Sequence, residues 1–153
     1  MNIAFLVDEN LLGLLRKLRM MGVDSIALKE TSDKEIYFAA ASQKRIILTK
    51  DQKFYRTIPS GEAYLVQSEK PQEQLIEILK TFSDLGNIPL SRCFECNTII
   101  AKIPKESLKD RVDPNTFRFY QNFFECPTCH RVYWEGSHFK KLREEVRLIL
   151  QIL

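Results

Sequence analysis

Ile3-Ala4-Phe5-Leu6-Val7-Asp8 and Arg45-Ile46-Ile47-Leu48-Thr49-Lys50-Asp51 share one form: a short apolar run that stops on a carboxylate. Runs of this length suit strands buried on both faces of a parallel sheet better than the alternating strands of a half-solvated one. Between them the period changes. Leu11, Leu14, Leu15, Leu18 and Met21 recur at helical spacing, the pattern of an amphipathic helix. Val23 to Leu28 offers a second strand, and Ser32-Asp33-Lys34-Glu35 has the form of a capping box opening a helix through about Lys44. Further on, Ala63 to Val66 reads as a strand. Pro71 suits the first position of a helix carrying Leu75, Ile76, Ile78, Leu79 and Phe82. The order is βαβαβ, a loop, then βα. It predicts an α/β fold, a parallel sheet with helices on both faces and right-handed crossovers.

Asp84-Leu85-Gly86-Asn87-Ile88-Pro89 breaks every period and predicts a linker between a unit at 1–86 and a second at 91–153. The second is rich in paired cysteines, turn residues and aromatics. It ends in His138 to Leu153, where Phe139, Leu142, Val146, Ile149, Leu150 and Leu153 share a helical face. That face is expected to dock on the first unit or, in a homo-oligomer, on a partner subunit. With 44% hydrophobic and 28% charged residues, the 153-residue chain is neither disordered nor collagen-like, and 4 cysteines are too few for a disulfide scaffold. Only five apolar residues, Ile3 to Val7, precede Asp8, with no basic leader. This predicts neither a signal peptide nor a membrane span, and a cytoplasmic protein. Residues 1–90 carry 12 basic and 12 acidic side chains, residues 91–153 carry 11 and 8.

Cys93-Phe94-Glu95-Cys96 and Cys126-Pro127-Thr128-Cys129 are two Cys-x-x-Cys knuckles, the spacing that places two thiolates at adjacent corners of a tetrahedron. Four thiolates close the coordination sphere of Zn²⁺, so the expected metal is structural. Two disulfides or a redox pair are the alternatives. Four thiolates with one Zn²⁺ would add a local charge of about −2 to the second half, so any steering of a polyanion must come from local patches. The 29 residues from Asn97 to Glu125 exceed the ~15 to 20 of a compact ribbon, which predicts an insertion over about Pro104 to Gln121. It contains Lys105, Lys109, Arg111, Arg118, Phe117, Phe119 and Tyr120. These suit phosphate contact and base stacking, or equally a solvated helix with packed rings. Arg92, Arg111, Lys140 and Lys141 are candidate phosphate contacts, with solvated surface charge as the alternative.

Asp8 and Asp51 follow predicted strands and Asp33 sits in the first turn of a helix, places that share the carboxyl edge of an open parallel sheet, where ligands bind. Three carboxylates meeting there would repel one another unless a hard cation such as Mg²⁺ or Mn²⁺ lay between them. Such an ion activates water for in-line attack on a phosphodiester. Lys50 or a cation of the second unit would offset the developing charge. Asp33 and Glu35 also suit a helix N-terminus, and Asp51 a turn. Asp8 ends a buried strand with Glu9 beside it, and such a charge requires a partner.

Val7-Asp8, Asp33-Lys34-Glu35-Ile36, Ala39-Ala40-Ala41 and Ile47 through Phe54 resemble the acidic framework of PIN-like ribonuclease domains. Ser91-Arg92-Cys93, Asp110-Arg111-Val112, and Cys126-Pro127-Thr128-Cys129 running into Arg131-Val132-Tyr133-Trp134-Glu135-Gly136-Ser137-His138 resemble the family named for the C-terminal RNase domain of the exonuclease Mut-seven. That family joins a PIN-like domain to a zinc ribbon, and the resemblance covers about residues 3 to 142. It implies a PIN-like parallel sheet followed by a zinc ribbon and a C-terminal helix. It further implies metal-binding acids at Asp8, Asp33 and Asp51, zinc on the four cysteines, and metal-dependent cleavage of RNA. Arg131 and His138 would then contact the scissile phosphate or stabilise charge there, a structural hydrogen bond at the helix start being the alternative for His138. PIN nucleases commonly carry a further acid on the helix after the first strand, whereas no Asp or Glu lies between Glu9 and Asp24 here. Three accounts remain open: Glu9 or Glu35 substitutes, one metal suffices, or the chain binds RNA or protein as an adapter without cutting. A phosphoryl receiver with Asp51 as acceptor would need a further strand bearing a lysine, where this chain turns to its cysteines.

Overall fold

The computed structural model describes residues 2–82, 85 and 89–151, the last three by their backbone alone. Strand β1, Phe5–Val7, leads through a 3₁₀ turn at Glu9–Leu11 into helix α1, Leu12–Met20. There follow β2 (Ser25–Ile26), α2 (Asp33–Ser42), β3 (Ile46–Thr49), α3 (Gln52–Thr57), β4 (Ala63–Leu65) and α4 (Pro71–Thr81). The strands form one sheet in the order β2-β1-β3-β4, every pair parallel. Successive side chains of a strand point to opposite faces, and the core divides accordingly. Phe5, Val7 and Leu48 pack with Leu14, Leu15 and Leu18 of α1 and Leu75, Ile78 and Leu79 of α4. Leu6 and Ile47 pack with Ile36 and Ala40 of α2, and with Phe54 and Ile58. Each such side chain contributes about 1.5–3 kcal/mol on burial. Helices therefore cover both faces, as the alternating periods predict.

The elements differ from expectation at their ends. The strand expected over Val23 to Leu28 pairs only at Ser25–Ile26, and the loop expected after β3 holds α3. Phe54 N–H donates to Asp51 Oδ1 over 3.1 Å, so the carboxylate caps this helix while Phe54 anchors it in the core. Helix α1 stops because Gly22 turns left-handed, at φ 79, and Val23 N–H reaches back to Leu18 O.

Beyond Leu90, strands β5 (Ala101–Ile103), β6 (Phe123–Glu125) and β7 (Val132–Tyr133) form an antiparallel sheet in that order. The insertion predicted between the knuckles folds as a 3₁₀ turn, Lys105–Leu108, and helix α5, Pro114–Phe119. The last element, α6, runs Ser137–Gln151 and lies against both parts. Phe139 joins Cys93, Cys126 and Tyr133 in a core completed by Met20, whereas Leu142 and Val146 enter the core of α1 and α4. Gln72 donates a side-chain hydrogen bond to Glu145. This stretch of the expected apolar face is thus buried within the chain. The side chains of Ile149 and Leu150, and Leu153, lie outside the described residues, as does most of the expected linker at 84–89. Among the described residues no helix is long and apolar enough to cross a membrane.

Helices α1 and α4 touch at a glycine. A Cβ built on Gly13 would stand 2.6 Å from Pro71 Cγ, closer than two carbons approach. Gly13→Ala therefore sets a helix-propensity gain of about 1 kcal/mol against displacement of a proline ring, which costs about 1–3 kcal/mol. A lower midpoint in urea unfolding is the expected outcome, and a raised midpoint would show that α4 yields freely.

Candidate functional site

The two knuckles have the same backbone. Cys93 N–H donates to Thr98 O and Asn97 N–H to Cys93 O, at 2.8 and 2.9 Å. In the second, Cys126 N–H donates to Arg131 O and His130 N–H to Cys126 O, at 3.0 and 2.9 Å. Each turn closes on a left-handed residue, Asn97 at φ 65 and His130 at φ 63. The four ligand sulfurs lie within 4.8 Å of one another and none is in a disulfide. Tetrahedral zinc with Zn–S bonds near 2.3 Å sets sulfurs about 3.8 Å apart, and Cys93 Sγ stands 3.7 Å from Cys129 Sγ. The donor set and spacing fit a structural Zn²⁺ with no coordination position left for substrate.

Electrostatics around the sulfurs point the same way. Burial pushes the Cys126 thiol up, but the backbone N–H groups of Cys129 and Thr128 outweigh it and hold the group down at about 6. Cys96, by burial and by the neighbouring sulfurs of Cys129 and Cys93, is pushed up to about 12. The Cys126 thiolate forms easily, and that of Cys96 resists until a cation shares its charge. Tyr133 Oη lies 3.0 Å from Cys93 Sγ; burial and that sulfur raise the phenol, which stays protonated and able to donate to the ligand.

The first knuckle is fastened to the amino ends of the parallel strands. Arg19, 8% exposed at the end of α1, donates through Nε to Ser25 O at 2.8 Å and through Nη1 to Phe94 O and Glu95 O at 2.9 and 3.1 Å. Burial lowers its pKa against the attraction of Cys93 and Glu95. Asn97 accepts from Ser25 N–H and donates to Asp24 Oδ1 at 2.7 Å, and Asp24 also pairs with Arg45 at 2.8 Å. Arg92, a candidate phosphate contact by sequence, spends its guanidinium on Gly22 O and Asn97 O. Burial pushes Asp24 up, yet the hydrogen bonds from Arg45 and Asn97 more than offset it and hold the carboxylate below its ordinary range.

At the carboxyl ends of the strands stand the acids. Thr49, fully buried, donates through Oγ1 to Asp8 Oδ2 over 2.9 Å while accepting Asp51 N–H over 3.0 Å. One hydroxyl so links the carboxylate that closes β1 to the backbone N–H of the aspartate that follows β3. Asp8 Oδ1 faces Asn10 N–H at 3.4 Å and Asp51 Oδ1 caps α3. Asp33 is exposed at the first position of α2. Glu35 and Ser32 complete the expected capping box, and Glu9 accepts Glu30 N–H at 3.2 Å. Lys50 binds Glu69 at 2.9 Å and the carbonyls of Gln67 and Ser68. The three aspartates share an edge of the sheet but do not converge as the cysteines do. Among the described residues only the cysteines bring three or more metal-ligating groups within 4.8 Å of one another.

Neither Arg131 nor His138 makes a hydrogen bond or ion pair with these acids among the described residues; His138 lies in the first turn of α6 and Arg131 just after the second knuckle. Arg111 pairs with Glu125 at 2.6 Å and binds His130 O; Lys141 is exposed, and Lys140 lies 5.8 Å over the Tyr120 ring. With Arg131, Arg111 borders a cavity of about 630 Å³ against Arg16 and Trp134. Sequence reasoning missed Thr49, although a hydroxyl inside an apolar run was a visible signal. It also missed Arg19, whose place four residues after Leu15 puts it on the buried stripe.

Two outcomes follow from this fastening. Arg19→Ala strands three carbonyls and is expected to cost about 2–4 kcal/mol in urea unfolding, with faster loss of zinc to a chromophoric chelator. Because the folded pKa of Asp24 is depressed, its stabilisation is complete above the unfolded carboxylate pKa, about 3.9, and is lost as pH falls through the folded value. Asp24→Asn should thus be less stable than wild type at neutral pH, with a shallower loss below about pH 4.

Comparison with curated proteins returned no match, and neither did comparison with solved structures. A family model described as the Mut7-C RNAse domain, in contrast, matches residues 3–146, a span that takes in the parallel sheet, all four cysteines and α6 as far as Val146. The chain belongs to the Mut7-C RNAse domain family.

Proposed function

We propose that this protein is a Mg²⁺- or Mn²⁺-dependent ribonuclease whose carboxylates are Asp8, Asp51 and Asp33, with a zinc ribbon that helps to hold the RNA. The units are residues 1–86, PIN-like, and 91–153, the ribbon with its helix. The observation that carries the reading is the Thr49 hydroxyl, bonded to the Asp8 carboxylate and to the backbone N–H of Asp51, because it ties two acid-bearing residues at the sheet edge where open parallel folds bind ligands. Oδ2 of Asp51 and the Asp33 carboxylate have no hydrogen-bond partner among the described residues, so both keep oxygens for a hard cation. A divalent ion held there would polarise the phosphate and acidify water. Thr49 fixes the orientation of Asp8, and Asp51, rigid as the cap of α3, holds its own oxygens in place. A carboxylate of the pair takes the proton of the attacking water. Lys50, paired with Glu69 at 2.9 Å, stands at the same edge.

A second reading, the adapter that binds RNA without cutting, is favoured by the spread of the acids, which form no tight triad, and by the acid-free stretch between Glu9 and Asp24. End-labelled single-stranded and hairpin RNAs, incubated with zinc-loaded protein and Mn²⁺ or Mg²⁺, decide between the two. Metal-dependent cleavage that falls at least about 100-fold in Asp8→Asn/Asp51→Asn is expected. Retention of RNA without cleavage by either protein would establish the adapter. Thr49→Val keeps the side-chain shape and removes the hydroxyl. It should lower kcat by about 10- to 100-fold with little change in KM, and unchanged kcat would remove Thr49 from the site.

A further inference from the structure

The ribbon sheet carries a second concavity, a groove of about 310 Å³ bordered by Lys102, Phe119, Tyr120, Gln121, Phe124 and Lys140. Phe119 is the last residue of α5 and is 73% exposed, more than any other large apolar side chain among the described residues. Its ring makes no aromatic contact among them. Tyr120 presents its ring beneath Lys140 Nζ, 5.8 Å from the centroid. Lys102 stands opposite Phe124 in the β5–β6 register, so ammonium and ring project from the same face. The one carboxylate at the rim, Glu135, is engaged by Arg143 at 3.0 Å. What is left is an excess of positive charge interleaved with exposed π-faces.

We propose that this groove binds single-stranded RNA, with a base stacked on Phe119 and the flanking phosphates on Lys102 and Lys140. The inference rests on the ribonuclease reading for the identity of the polyanion, and adds where the ribbon grips it. Every base has a π-face, so a ring next to cations holds single strands with little regard to sequence. The amides of Gln121 and Asn122 lie at the same groove and can hydrogen-bond base edges. A protein partner would cover the apolar ring equally well but gives no reason for two ammonium groups without a carboxylate partner among the described residues at the same groove. The larger cavity beside Trp134 is the weaker candidate, because its arginines are already neutralised: Arg16 pairs with Glu95 at 3.3 Å and Arg111 with Glu125 at 2.6 Å.

The test uses the full zinc-loaded chain carrying Asp8→Asn/Asp51→Asn, with fluorescein-labelled oligouridylate as probe, followed by anisotropy. Adding Phe119→Ala should weaken binding by about 5- to 150-fold, and Phe119→Trp should preserve it. Lys102→Ala/Lys140→Ala should reduce the slope of log affinity against log salt by about 1.4. An abasic strand of equal length should be indifferent to Phe119→Ala. Since Phe119 is exposed, an unchanged unfolding midpoint accompanies these results. Affinity unaltered by Phe119→Ala, or no binding of the oligomer by any of these proteins, overturns the proposal, the former returning the groove to a protein partner. Cleavage by the wild type in Mn²⁺ is scored separately. Phe119-dependent binding without cleavage keeps the groove and sinks the ribonuclease, and cleavage with Phe119-independent binding does the reverse.

Discussion

A buried guanidinium joins the two sheets of this molecule. Arg19 leaves an apolar helix face to bind one carbonyl beside β2 and two in the first cysteine knuckle. Removing a charged group from water is costly unless its hydrogen bonds are met, and here they are met by carbonyls from both parts. Asn97, Asp24, Arg45 and Arg92 extend the same lattice. A cation shared by the sulfurs of the knuckle that supplies those carbonyls would act on α1 and β2 as well as on the ribbon. Zinc held there would therefore be coupled to the stability of the parallel sheet, not confined to the module that binds it.

Charge is arranged in two groups at opposite ends of the short strands. At the amino ends, thiols and carboxylates meet arginines in a dense network. At the carboxyl ends Asp8 and Asp51 have a threonine hydroxyl and backbone N–H groups. The second arrangement is the less satisfied one, which is the condition expected of a surface that takes up a ligand. The first is almost wholly internal, and it absorbs Arg92, which would otherwise be available to nucleic acid.

Much of this was legible in the residues because the physics is local. The apolar runs ending on Asp8 and Asp51 became β1 and β3; the capping box at Ser32 and Glu35 formed both of its reciprocal bonds; Pro71 stands at the start of α4. Cysteine spacing alone foretold the metal-ligand cluster. Helix α3 escaped because Gln52 to Thr57 is too short to show a period, its stability coming from one cap and one buried ring. Strand β2 pairs only at Ser25–Ile26, and beside it Asp24 is drawn into the network with Asn97 and Arg45. The partners of Arg19 lie 75 and 76 residues away, a distance no local pattern encodes. The shared edge of Asp8, Asp33 and Asp51 followed from topology, whereas their spacing depends on side-chain bonds such as that of Thr49.

Helix α6 gives the molecule a particular order of assembly. Leu142 and Val146 fill the same core as Phe5, Leu14 and Leu75, so the α1–α4 face of the sheet is incomplete until residues near 146 are available. On the ribosome, where a chain emerges from its N-terminus, that face stays open to water while the knuckles are still being made. Its contacts join distant parts of the chain and so form slowly, and an exposed apolar face in a nascent chain is a site for aggregation or for chaperones. This helix thus serves as a closing step: the parallel strands reach their native burial only after the residues near 146 have been synthesised.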